Sequence, residues 1–156
     1  MINALRKLFD ESDGTAGRAI PERERHHLQV AVASLLHEAS RVDLEERREE
    51  HLAAERALQD LFGLSAADCA AVLEEGRGKA RQLVSYFAPV SVIKRDFALA
   101  ERVRFIEHLW RIAYADGRLD QYEDHFVRKI AHLLYVPNTQ CMLARNRARP
   151  PLKAKA

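Results

Sequence analysis

The sequence predicts an all-α fold: a single helical bundle of about seven or eight helices, built from two related helix–turn–helix repeats. Three observations predict it. Apolar residues recur at helical spacing, and strand alternation appears nowhere over a useful length. Six Gly and five Pro in 156 residues are too few for a turn-rich β chain. Two segments 73 residues apart also read alike, over about 30–65 and 103–138. Without a gap, Val30 falls on Val103, Leu36 on Leu109, Asp43 on Asp116, Glu50 on Glu123 and Leu61 on Leu134. The two units are expected to superpose about an approximate two-fold axis.

In chain order, Ile2, Leu5 and Phe9 mark one face of a short amphipathic helix over 1–10, and the Gly, Ser and Asp content of 11–20 marks a loop. Pro21, followed by Glu22 and Glu24, opens a long helix to about Arg41, with Leu28, Val32, Leu35, Leu36 and Ala39 on one face. A turn at 43–46 leads to a helix from about Glu46 to Phe62, stopped by Gly63. Ser65 and Asp68 cap a short helix to Gly76, and another runs from Gly78 to Ala88, where Pro89 breaks it; 89–97 is read as a further helical turn. Val103, Ile106, Leu109, Trp110 and Ala113 define a helix over 99–115 that ends at Asp116-Gly117, with a positive φ expected at Gly117. Asp120 and Glu123 form a capping box for the next helix, Pro137 ends that one, and Asn138 caps a last short helix to about Ala144.

Composition places the chain among soluble globular proteins, at 47% hydrophobic and 31% charged residues. The net charge of +2 is uneven, because Arg145, Arg147, Arg149, Lys153 and Lys155 follow one another with no acid between them. Three regions result: an N-terminal helix and loop over 1–20, a helical domain over 21–144, and a basic, flexible tail over 145–156. Cys69 and Cys141 stand outside any CxxC pattern and read as reduced packing residues of a cytoplasmic protein. The first fourteen residues are too charged for a signal peptide, and no apolar run reaches the roughly 20 residues of a bilayer span.

The chemistry concentrates in the turns. Asp116, Asp120 and Glu123 surround one; Asp43 and Glu50 hold the matching places in the other. Two readings stand side by side. In the first, Asp120 and Glu123 are caps and Gly117 is the left-handed terminator. In the second, the carboxylates converge on a divalent cation, Ca²⁺, Mg²⁺, Mn²⁺ or Zn²⁺. Asp116 favours the second, because an anion at a helix C-terminus opposes the dipole and calls for a compensating charge or donor. The spacing is not that of an EF-hand.

No catalytic residue is assigned. There is no HExxH; Glu24 and His27 make one ExxH, whereas a di-iron bundle needs two such motifs and two further glutamates. No serine lies in a G-x-S-x-G setting, and GRGK at 76–79 lacks the spacing of a phosphate loop. His37, His108 and the strip of Phe105, Trp110 and Tyr114 read as core packing. No recognised motif supports specific nucleic-acid readout. Residues 1–10 and the basic tail are the segments suited to peripheral membrane contact.

The run LWRIAYADGRLDQYEDHFVRKIAHLL resembles the tellurite-resistance protein B (TerB) family, and with it the N-terminal domain of a membrane-anchored DnaJ-type co-chaperone. The resemblance covers about 25–140. It departs from the family pattern in the first turn, where Val42-Asp43-Leu44 replaces Ala-Asp-Gly and Arg47 stands at the position matching Asp120. No His-Pro-Asp triplet of a J-domain occurs. The resemblance implies a duplicated helical bundle, cation ligands at Asp116, Asp120, Glu123, Asp43 and Glu50, and a stress-response role as a non-enzymatic interaction module with a protein partner. The alternatives are a metal-dependent enzyme using the acidic cluster, or a structural adaptor whose carboxylates are helix caps.

Overall fold

Pro21, at φ −53°, delivers the chain into α1 (Glu22–Ala39), whose first turn carries Glu22 and Glu24 at the positive end of the dipole. The computed structural model describes residues 20–40, 48–115 and 119–150. The helix over 1–10, the turn at 43–46, the conformation of Gly117 and the end of the basic tail therefore lie outside the described residues. From Leu28 to Leu36 every residue of α1 is buried. The helix is covered on all sides rather than along the single stripe its pattern predicts, so it forms the axis of the bundle. Ser34, buried within it, donates its hydroxyl to the Ala31 carbonyl at 2.7 Å.

Against this axis pack α2 (Arg48–Phe62), α3 (Ala66–Arg81), α4 (Phe87–Asp96), α5 (Leu99–Ala113) and α6 (Gln121–Leu133), and α7 (Asn138–Ala148) packs on α5 and α6. Described residues contain no strand. Gly63 terminates α2 at φ +67°, with its amide on the Gln59 carbonyl. The Ser65 hydroxyl accepts the Asp68 amide at 3.2 Å and starts α3.

Three expectations need correction. The predicted helices to Gly76 and from Gly78 are one helix, α3, because Gly76 is a packing contact and not a break. A Cβ there would lie 2.5 Å from that of Ala33 and 2.9 Å from the Ser34 nitrogen, so the missing side chain lets α3 press against α1. Pro89 does not break a helix either. It is the third residue of α4, where no intrahelical donor is required of it. Finally, α7 runs to Ala148, not Ala144, so the basic run begins as helix. Arg145 lies 6.0 Å from the Trp110 ring and Arg147 pairs with Glu107 of α5.

The duplication appears in the helix boundaries. A shift of 73 carries Ala39 onto Ile112 and Arg48 onto Gln121, while α5 ends at Ala113 and α6 begins at Gln121. The third helices follow: Ala66 falls on position 139, and α7 begins at Asn138. Each half thus contains three helices in the same order, and α4 joins the halves and packs on α1. One continuous core spans both halves, with Trp110, Phe105, Leu58, Ile93 and Ile130 fully buried.

Candidate functional site

The second acidic turn is described from Leu119 onward. Asp120, at φ −86° and ψ 166°, caps α6, and its Oδ1 accepts the Glu123 amide at 2.7 Å. Glu123, the third residue of α6, is 8% exposed; Glu50, the third residue of α2, is 7% exposed. The gapless match of the two carboxylates therefore corresponds to one structural position, a buried glutamate in the first turn of the second helix of each half. A carboxylate there complements the helix dipole. Asp124 points elsewhere, to Arg128 at 2.9 Å and Arg145 at 3.8 Å. Asp116 and Asp43 lie outside the described residues. Among the described residues, no three His, Cys, Asp or Glu side chains come together as a metal cluster.

A second polar cluster joins the halves. His108 of α5 is 3% exposed, and its Nε2 lies 2.6 Å from Asp60 Oδ2 of α2. Arg104 donates to Asp60 Oδ1 at 2.7 Å and to the Asp60 carbonyl at 3.1 Å. Burial pushes the His108 pKa down against the pull of Asp60, and the His108 hydrogen bond, with Arg104, holds the Asp60 carboxyl below its usual range. A neutral imidazole donating its Nε2 proton satisfies both. The sequence shows His108 as a packing residue but not its partner 48 positions away.

The other chemistry-bearing residues are accounted for by packing. Cys69 and Cys141 are free and buried, and burial raises both thiol pKa values, which disfavours a thiolate nucleophile. The Trp110 indole donates to the Cys141 carbonyl at 3.1 Å. His27 is exposed, so the ExxH pair does not face the core. GRGK lies within α3 and forms no loop.

One surface feature escaped the sequence reading. The α3–α4 turn, α4 and the end of α6 enclose a groove of about 700 Å³. Val84, Phe87 and Tyr135 on its rim are 103%, 76% and 71% exposed, the largest values among described large apolar residues. Lys94 lies 4.5 Å from the Tyr135 ring centroid and Lys129 lies 5.4 Å from that of Tyr86. Reading 78–88 as continuous helix concealed this turn. No helix among the described residues is long and apolar enough to cross a membrane.

Compared with known families, residues 29–146 match the one described as Tellurite resistance protein TerB. No curated protein and no solved structure matches the chain.

Proposed function

The chain belongs to the tellurite resistance protein TerB family, and on that premise we propose that it is a non-enzymatic interaction module of a stress response whose acidic inter-helix turns hold a divalent cation. The observation that carries this reading is the pair of buried glutamates, Glu50 and Glu123, at one position of both halves. A carboxylate in the first turn of a helix complements its dipole, and its recurrence in both halves sets an acidic group beside each inter-helix turn. Asp120 Oδ1 accepts the cap bond, and Oδ2 would be the atom offered to the cation. Asp116, Asp120 and Glu123 would hold the cation of the second turn, with a backbone carbonyl and waters. An all-oxygen set suits Ca²⁺, Mg²⁺ or Mn²⁺ better than Zn²⁺. Bound there, the cation would neutralise mutually repelling carboxylates and tie the end of α5 to the start of α6. Asp43 and Glu50 form the poorer first site, because Arg47 brings a positive charge to the place corresponding to Asp120.

The Asp120 cap also favours a second reading, a structural adaptor whose carboxylates only cap helices. Melting curves with EDTA, and then with millimolar Ca²⁺, Mg²⁺, Mn²⁺ or Zn²⁺, separate the two. A cation at a hundredfold excess over its Kd stabilises the fold by about 2.7 kcal/mol, which raises Tm by several degrees. Asp116→Asn should abolish that rise and leave the cation-free Tm unchanged or higher, since it removes repulsion and an unfavourable dipole contact. Under the adaptor reading no ion raises Tm and Asp120→Ala costs only its cap, about 0.5–2 kcal/mol; under the cation reading the same variant also loses the cation-induced rise. No rise with any of the four ions sinks the cation reading and leaves the adaptor.

A further inference from the structure

We propose that the groove between the α3–α4 turn and the end of α6 docks an acidic, apolar peptide segment of a partner protein. This rests on, and deepens, the reading of the chain as an interaction module.

The rim comes first. Exposed apolar side chains scattered singly need no explanation, but Val84, Phe87 and Tyr135 gather around one concavity. Tyr135 adds a backbone argument. It holds φ +55°, and its neighbour Val136 donates to the Ala131 carbonyl at 2.9 Å, which makes Tyr135 the left-handed residue that terminates α6. Glycine fits that position without strain; a tyrosine there is disfavoured and has its ring 71% exposed. Within the fold the ring meets Lys94 at 4.5 Å from its centroid, and the rest of its surface is open to a ligand.

Charge then selects the occupant. The exposed ionisable groups of the lining are Lys94, Lys129 and His132, all cationic or able to become so. Glu38, the acid of the lining, is 5% exposed and belongs to the wall. The basic run from Arg149 to Lys155 is repelled by such a site, and Arg6 and Lys7 give residues 1–10 no anionic excess. A partner segment bearing both carboxylates and large apolar side chains matches rim and walls together. Lys94 and Lys129 lie across aromatic rings, an arrangement that lines a groove for a chain better than it extends toward a flat bilayer.

The test uses the full chain and three fluorescein-labelled peptides of equal length. One alternates Asp and Glu with Leu and Phe, one replaces the acids by Lys, and one replaces the apolar residues by Ser. The acidic, apolar peptide should bind with the best affinity, shift the amide resonances of 83–87, 94 and 129–135, and weaken several-fold between about 50 and about 300 mM salt. Tyr135→Gly should weaken it about tenfold while Tm holds or rises, because glycine relieves the left-handed strain. Phe87→Glu should abolish it without unfolding, since that side chain is solvent-exposed at the start of α4. Equal binding of all three peptides, or retention by both variants, overturns the proposal. So does capture by phosphatidylserine vesicles in preference to the peptide, or a concentration-dependent dimer that Phe87→Glu abolishes. The cation-induced rise in Tm is measured on the same samples: if it persists while no peptide binds, the groove proposal fails and the module reading stands.

Discussion

At His108 a buried imidazole meets a half-exposed carboxylate, and its titration adds to the response of the fold to acid. The native pKa lies below the ordinary value of 6.5 because burial disfavours the cation. As pH falls below 6.5, the unfolded chain takes up a proton that the native chain resists, so stability is lost through the interval down to the depressed native value. Asp60, also depressed, acts in the same direction in a lower window, below 3.8. Melting temperatures measured from neutral pH downward should therefore decline below about 6.5. His108→Gln, which retains a donor for Asp60 without titrating, should flatten that decline while lowering Tm at neutral pH. Parallel curves for both proteins would assign the decline to another group. The sequence marks His108 as buried, but its bond to Asp60 depends on how α2 crosses α5, which no local pattern encodes.

At the scale of the helix, two glycines in one turn of α3 have opposite meanings. Gly76 is pressed against α1, and an added Cβ would meet the backbone of Ala33 and Ser34 at 2.8 and 2.9 Å. Gly76→Ala should therefore push the two helices apart and destabilise by about 1–3 kcal/mol. Gly78 faces open space, and Gly78→Ala should stabilise by about 0.5–1 kcal/mol through helix propensity. Chemical denaturation of the two variants checks both signs; a gain at Gly76 would show that the contact relaxes freely. From sequence both glycines read as breakers, since packing against α1 is not a local property. Pro89 misleads in the same way, because a proline that ends one helix and a proline in the first turn of the next look alike. The caps at Ser65 and Asp120 were legible, each accepting the amide three residues on; Asn138 is not the cap expected of it but the first residue of α7, after Pro137.

Across the whole molecule, the halves repeat but do not separate. The end of the first helix and the starts of the second and third agree within a residue under a shift of 73, yet α1 is covered by α4 and α5 as well as by its own α2 and α3. Residues 20–84 alone would expose the face of α1 that α4 and α5 cover. Expressed separately, 20–84 and 85–150 should each lack a cooperative thermal transition, and mixing them should restore helical circular dichroism. A cooperative melt of 20–84 by itself would mean that each half carries its own core.

Local order was in the sequence by itself: helical periodicity, the caps at Ser65 and Asp120 and the Gly63 terminator depend on residues within a few positions of one another, and the 73-residue repeat is a comparison of two such local patterns. The family resemblance came from the same local runs. Tertiary structure alone decided the rest. It made α1 the axis, turned Gly76 into a contact and paired His108 with Asp60. It buried Glu50 and Glu123 alike, and it left Val84, Phe87 and Tyr135 around one groove. Each of these depends on which helix lies beside which, and that is settled by the joint packing of one core rather than by any segment of the chain.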